Sequence, residues 1–596
     1  MLRLFTGLLF SFLLLRGGAA EGQGMCPEGK IARIVVESGS IFTDDDIPED
    51  GRLVWAYHLA NWVHVQTREG FILGALLFEE GDCFDPAVLA ESARLLREYH
   101  FIAAAEAEGV ARADGAWDVV VRTRDEWTTK VSLDVHFKDG FRMEGLSLFE
   151  ENLLGRGVTV GVFGVDREER REAGVALKAP SVFGSSFDLR SDVQRTRIGS
   201  GAELTVVRPF RGELPGGALR QVAAYRRDFF SYVLPEHPRY SHVVLPVVEQ
   251  RMELSAARRF NLPGNLSLLG GGVSFERRGV GRSDEVEGIR ARDFSDREPV
   301  TPDMAAAVGS QLHSRRAVRL NLLLGLRKLE FETRQGLDAI AGVQDIAVGH
   351  EGRLSLGRSV AGTTSGQPGD MFSRINLFAG RSGSRTVSQL HLAGEGRRKD
   401  ADTSASPEWS DLLLEAHGFF YWTYSGFVPQ TWVLRGAMHA GWRTTSPFQL
   451  NLGGPDGVRG YGETDFPGGR RAVLSVENRV PLPSPFPDLA DLGVTLFADI
   501  GAAWSGDAPF GIDSGLRGTA GGGIRLGFPA GSSSVIRADL AFPVGPGASS
   551  RGPVLRISAQ EWIGIIGDFR SPQIERSRGT GIRGEYRGVA REAPIP

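Results

Sequence analysis

Apolar and polar residues alternate one for one along many short stretches of this chain. From Arg471, the residues Ala472, Leu474, Val476, Val480 and Leu482 fall on one face. Arg471, Ser475, Glu477 and Arg479 fall on the other. Only a period of two does this, so the stretch predicts a β-strand. One face is apolar enough for lipid, and the other is polar enough for a wet lumen. The stretch Val494–Trp504 repeats the pattern, with Val494, Leu496, Ala498 and Ile500 together and Asp499 opposite. In Arg319–Arg327, Leu320, Leu322, Leu324 and Leu326 oppose Arg319, Asn321, Gly325 and Arg327.

Thr431–Arg443 supplies a dimension. Trp432, Leu434, Met438, Ala440 and Trp442 share a face, and Arg435, His439 and Arg443 share the other. At ~3.3 Å per residue and a tilt near 45°, the step from Trp432 to Trp442 spans ~24 Å, the height of the apolar band of an outer-membrane barrel. The two tryptophans are therefore candidate girdle residues. After Trp127 the pattern changes to short alternating stretches separated by glycine and polar turns, up to about residue 565. The first candidate strand is Val131–Phe137, and the last three are Gly515–Phe528, Val535–Phe542 and Pro553–Trp562. Arg278–Ser314 and Gly394–Glu408 read as external loops. Candidate strands number about 16.

The region from 29 to 127 has a different rhythm. It predicts a strand at Lys30–Glu37, helices at Thr67–Phe78 and Asp85–Phe101, and strands at Ala103–Val110 and Trp117–Arg124. Asp85 followed by Pro86 is a helix start signal, and Leu89, Ala93, Leu96 and His100 recur at helical spacing. Asp114-Gly115 marks the hairpin turn. The fold class is mainly β: an antiparallel transmembrane barrel over 128–565, preceded by a small α+β module over 29–127. A tail rich in Arg, Gly and Pro, 566–596, follows and is either disordered or tucked into the lumen.

Residues 1–20 read as a secretory signal, with Arg3, the apolar run Leu4–Leu15 and Gly18-Ala19-Ala20. No later stretch has 18 consecutive apolar residues, so an exported chain that belongs in a membrane is left with the barrel solution. The net charge of −5 gives no reason to expect a nucleic-acid partner. Cys26 and Cys83 are the only cysteines. Export favours a disulfide between them, and two unrelated thiols is the other reading. They cannot make a metal site alone.

Leu452–Leu482 carries the strongest motif. A glycine-rich loop with Arg459 near its middle runs into the Glu477 strand, and Asp499 lies on the next. Val458-Arg459-Gly460-Tyr461, the S-V-E-N-R strand and the F-A-D-I-G strand resemble the BamA/TamA superfamily of outer-membrane assembly factors, also called bacterial surface antigens. The resemblance implies that the loop folds back into the barrel and that Arg459 pairs with Glu477 and Asp499. A guanidinium inside a barrel needs such partners, because burying it alone is costly. Asn152–Gly157 resembles the early barrel strands of that family. Phe78–Trp127 resembles its periplasmic POTRA domain, with Arg52–Gln66 extra to a minimal one.

No G-x-S-x-G, H-E-x-x-H, P-loop or C-x-x-C is present, so no enzyme and no cofactor is expected. His439 reads as a solvated lumen position. The resemblance implies an outer-membrane protein whose partners are unfolded outer-membrane or secreted client proteins, periplasmic accessory subunits or chaperones, and outer-membrane lipid. Its action would be to assist client insertion, with the POTRA-like module in the periplasm and a seam between first and last strands. Two alternatives stay open: a two-partner-type secretion pore, and a structural or receptor barrel.

Overall fold

The computed structural model describes residues 26–588 apart from breaks at 43–46, 48–53, 138–139, 169, 236, 291–293, 310–311, 365–368, 401–407, 455, 487–488, 546–551, 560–570, 580 and 583–584. The signal segment 1–20 and Trp562 lie outside the described residues.

The amino-terminal module runs β1 (Ile31–Gly39), α1 (Val54–Val63), α2 (Glu69–Ala75), α3 (Pro86–Arg97), β2 (Ile102–Ala111) and β3 (Trp117–Asp125). Its sheet order is β1-β3-β2, with β1 parallel and β2 antiparallel to β3. Asp85 caps α3 by accepting from the Ala87 N–H at 2.8 Å, and Pro86 opens the helix. Ile72, Leu76, Leu89, Leu96, Phe101 and Val121 pack together as the core between helices and sheet. Cys26 and Cys83 are joined, which ties the chain before β1 to the loop before α3.

The barrel opens with β4 (Thr129–Phe137), β5 (Phe141–Leu153), β6 (Val158–Asp166), β7 (Arg171–Ala179), β8 (Asp188–Thr196), β9 (Ser200–Arg208) and β10 (Gly216–Val233). It continues with β11 (His242–Phe260), β12 (Leu266–Val280), β13 (Arg315–Gln335), β14 (Val343–Ser359), β15 (Asp370–Ser382), β16 (Thr386–Lys399) and β17 (Trp409–Tyr424). It ends with β18 (Gln430–Trp442), β19 (Arg470–Leu482), β20 (Asp491–Trp504), β21 (Arg517–Gly527), β22 (Val535–Val544) and β23 (Val554–Ser558). Each strand pairs antiparallel with its neighbours, and β23 closes on β4. The ring therefore holds 20 strands, not about 16.

One expected loop is also corrected. Gly394–Lys399 belongs to β16, where Glu395 and Arg397 point inward and are buried. Most of Arg278–Ser314 is, as expected, a connection, between β12 and β13, and it holds the short pair Glu287–Ile289 and Arg297–Pro299 and the helix α4 (Pro302–Gly309). Val286, Ala305 and Val308 pack there on Tyr232, Val243 and Leu245.

Lipid-facing positions show the expected alternation. Leu320, Leu322, Leu324 and Leu326 are exposed on β13, while Arg319 and Asn321 are buried inside. Trp432 pairs across with Trp422 at the rim nearer the module, and Trp442 lies toward the far rim with the Arg470 guanidinium 5.2 Å from its ring. Such aromatic belts suit the two membrane interfaces.

The module is bound tightly beneath the barrel. Arg97 donates to both carboxylate oxygens of Asp345 on β14, at 2.8 and 3.0 Å. The Arg94 guanidinium sits 3.9 Å from the centre of the Phe331 ring. The turn Asn152–Gly157 is part of this joint: Arg68 N–H donates to Gly155 O at 2.9 Å, and the Asn152 amide donates to Thr67 Oγ1 at 2.8 Å. Gly157 has φ of 65°, and a Cβ there would stand 2.4 Å from the Phe71 ring, so only glycine fits.

Candidate functional site: loop, seam and lumenal tail

The loop between β18 and β19 folds inward from the far rim. Leu452, Val458, Tyr461, Phe466, Val473 and Ala503 form its apolar anchor. Tyr461 Oη donates to Gly518 O at 3.2 Å. Gly460 has φ of 84°, and a Cβ would meet Thr519 Oγ1 at 2.9 Å, so the backbone turns while pressed against the wall.

This posture delivers Arg459 to the inner wall. Its Nη1 donates to Glu477 Oε1 at 2.7 Å. Its Nε and Nη2 donate to the two oxygens of Asp499 at 2.7 and 2.6 Å, a bidentate fork. The Arg459 backbone N–H also reaches Asp499 Oδ2, at 3.1 Å. The guanidinium lies 3.6 Å from the centre of the Phe497 ring. Both carboxylate side chains are fully buried and Arg459 is 11 % exposed. Burial alone would push the Arg459 guanidinium down, but Asp499 and Glu477 outweigh it and hold it above its ordinary range.

The network is wider than its three expected members. Glu477 also accepts from Arg537 of β22 at 2.6 Å and from Arg479 Nε at 3.0 Å. Arg479 continues to Asp338 at 3.1 Å. The acid is thus shared by three arginines from the loop and two strands.

From the same loop Glu463 extends to the seam. It lies 3.3 Å from Arg167 and 4.0 Å from Arg556. Arg556 of β23 bridges to Asp134 of β4, and stands 3.3 Å from Glu144 of β5. Arg167 pairs with Asp134 at 2.9 Å. Among the described residues the backbone pairing beneath this latch is short. β23 is five residues long and meets β4 from Leu555↔Phe137 to Ser558↔Asp134. By contrast β10 and β11 pair along their whole length, from Gly216↔Arg259 to Val233↔His242. Next to the seam the β4–β5 ladder is disturbed by a bulge on β5, where Glu144 is the extra residue between Gly145↔Asp134 and Met143↔Val135.

The described residues of the carboxy-terminal tail, between 571 and 588, lie in the lumen. Its short helix α5 (Pro572–Glu575) places Gln573 where its side chain accepts from Asn451 N–H at 3.0 Å. Arg578 reaches Glu415 on β17 and lies 3.3 Å from Glu395 on β16. Gly579 N–H donates to Glu395 at 2.7 Å, and Arg374 donates back to Gly579 O at 3.1 Å. A Cβ on Gly581 would stand 2.4 Å from the Phe372 ring. Farther on, Ile582 and Tyr586 pack on Leu323 of β13, Ala257 of β11 and Phe210 of the β9–β10 connection. The described tail thus follows the inner wall from β17 to β11.

His439 differs from expectation. It is fully buried, accepts from Arg471 Nε at 3.2 Å and lies 3.5 Å from Glu415. The polar wall is filled by ion pairs and the tail rather than by water at this point. Glu415, His417 and His439 stand close enough together to share a ligand. In this arrangement the Glu415 carboxylate holds Arg578 and the Ser571 N–H.

A closed antiparallel ring with a lipid-facing apolar belt and a charged interior defines a transmembrane β-barrel of the outer-membrane class. Residues 414–554, which include the loop, Glu477 and Asp499, match the Omp85 superfamily domain. Over that stretch, from β17 to the start of β23, the chain carries an Omp85 superfamily domain. Among solved structures it is similar to CdiB from Acinetobacter baumannii, at 12 % identity and TM-score 0.40 over 89 % of this chain and 73 % of that one. CdiB from Escherichia coli gives 12 % and 0.40 over 92 % and 93 %. BamA from Haemophilus ducreyi lacking POTRA domains 1-3 gives 12 % and 0.34 over 89 % and 84 %. No curated protein matches the chain.

Proposed function

We propose that this barrel assists insertion of client β-proteins into the outer membrane, with the seam as the working element. The observation that carries the reading is the short β23–β4 pairing among the described residues, from Leu555↔Phe137 to Ser558↔Asp134. A barrel must keep its edges paired, and the edge with fewest backbone hydrogen bonds opens at lowest cost. An opened edge can template a client strand by exchanging backbone hydrogen bonds, with no nucleotide or cofactor. The module acts on the periplasmic side as a POTRA-like client receiver, and its sheet ends in β1 and β2, where strand addition begins. Accessory subunits or chaperones would dock on the same module.

Arg459, Glu477 and Asp499 act as the lock that keeps the loop against β19 and β20. Glu463 then couples that loop to Arg556, so that the seam is latched through one side-chain chain. A secretion pore for a soluble client is the rival reading, and it requires the lumenal tail to leave first.

Depletion of the protein in its native cell, followed by comparison of outer-membrane and secreted proteomes, separates these readings. Loss of several barrel proteins is the expected result. Loss of one secreted protein alone would move the assignment to a pore. No change in either would leave a structural barrel and refute the insertion role.

A further inference from the structure

The helix α1 occupies the stretch that exceeds a minimal module, and it has one face without a protein partner among the described residues. Its inner face is fixed from three sides. Tyr57 and Ala60 are buried with Ile41, Phe42 and Leu489, and the Tyr57 and Phe42 rings meet edge-on at 4.8 Å. The Asn61 side chain donates to Phe42 O at 2.9 Å and accepts from Phe42 N–H at 3.1 Å. Just past the helix His64 lies 2.8 Å from the buried Asp125 carboxylate. These contacts set the rotation of α1 and leave its outer face no freedom to turn inward.

That outer face carries Trp55, Leu59 and Trp62, at 62, 46 and 82 % exposure. Their spacing of four and three residues places them in one stripe directly opposite Tyr57, Ala60 and Asn61. Val63 and Val65 extend it, at 52 and 49 % exposure. None of the ten residues of α1 is Asp, Glu, Lys or Arg. A helix that shows two tryptophans and a leucine to its surroundings, with no charge to hold that face in water, needs a cover.

The barrel rim points to what the cover is. Leu489 belongs to the β19–β20 connection, so α1 packs on the rim itself. Leu482 at the end of β19 and Phe486 on the same connection are exposed. Trp127 joins the α1 cluster and packs 6.1 Å from Phe528, an exposed ring on the next connection along the rim. The inner face of α1 therefore rests on the barrel rim where the lipid-facing strands β19–β21 reach it.

We infer that α1 is an interfacial membrane helix, seated beside the barrel with Trp55, Leu59 and Trp62 in the boundary between headgroups and acyl chains. Tryptophan suits that depth, since its ring is apolar and its N–H can still find a polar partner. With no basic residue on the helix, contact depends on apolar area and not on anionic lipid. The inference rests on the barrel spanning a membrane and not on what the barrel does there. Its consequence is geometric: α1 would hold the module against the bilayer on the β19–β21 side.

Because Cys26 and Cys83 are joined, a cysteine placed at position 59 is the chain's only free thiol. The full chain carrying Leu59→Cys, labelled with a polarity-sensitive fluorophore, is reconstituted in phosphatidylcholine vesicles. Asp114→Cys, in the exposed hairpin turn of the module, is the aqueous control, and Val63→Cys is a second probe that leaves both tryptophans and Leu59 in place. Probes at 59 and 63 should lose most of their emission to lipid bearing a spin label near the headgroup, and resist iodide in the buffer. The probe at 114 should do the reverse, and added anionic lipid or salt should change neither. Iodide reaching 59 and 63 as freely as 114 would overturn the inference. So would protection that appears only after an envelope protein extract is added, since the cover would then be a protein.

Discussion

Arg459→Ala tests the loop lock most sharply, because its cost falls on one residue. Glu477 keeps two other arginine partners, Arg537 and Arg479. Asp499 loses both side-chain hydrogen bonds and retains only the backbone N–H of residue 459, while its side chain stays fully buried. An uncompensated buried charge of this kind costs about 3–5 kcal/mol. Asp499→Asn removes the charge with its partner's fork half intact, and should cost about 1–3 kcal/mol. The double variant should then cost less than the sum of the two, since no ion is stranded, with a coupling of about 1–3 kcal/mol. Arg459→Lys keeps a charge but neither the fork nor the stack on Phe497, so it should recover only part of the loss. Urea unfolding of the reconstituted barrel, followed by tryptophan emission, measures all four. An Arg459→Ala cost within about 0.5 kcal/mol of zero, the range of an ordinary surface change, would remove the lock.

Further outcomes follow from the tail and the module joint. Truncation after residue 570 removes every tail contact to Glu395, Glu415 and the Phe210 wall, so single-channel conductance in planar bilayers should rise. Unchanged conductance would mean that the tail does not obstruct the lumen. Arg97→Ala breaks the fork to Asp345 and leaves that acid with Thr333 at 3.0 Å, so limited proteolysis should release the module faster from the intact chain. An unaltered cleavage rate would show that Arg94 on Phe331 and the Asn152–Gly157 joint suffice alone.

The pattern of the sequence was most readable where lipid faces one side and paired charge the other. β13, β18, β19 and β20 show leucine, valine and tryptophan alternating with arginine, asparagine and acid; the last three lie within a few residues of expectation, while β13 runs on to Gln335, well past the expected Arg327. The pattern fails in β16, where the charged end Gly394–Lys399 looks like a loop. Inside the barrel Glu395 meets Arg374 at 2.6 Å and Arg397 meets Glu276 at 2.7 Å, so charge there is interior packing and not solvation. Such stretches conceal strands, which is how 20 came to look like about 16. Arg459, Glu477 and Asp499 could be picked out because they fall within one contiguous motif. Arg537 joins the same carboxylate from 60 residues further along, and only closure of the ring brings it there. The tail has the composition of a disordered segment, and its seat exists only once the acids of β16 and β17 face one lumen.

The central claim is that the β4–β23 seam opens to act. Val135 and Ile557 face each other across it, so Val135→Cys with Ile557→Cys can be bridged, in a chain whose native cysteines are replaced by serine. The insertion rate of a purified client barrel into vesicles holding this variant is measured oxidised and then reduced. The account predicts little or no acceleration over empty vesicles while the bridge is closed, and return of the wild-type rate on reduction. Full acceleration with the bridge closed would contradict it.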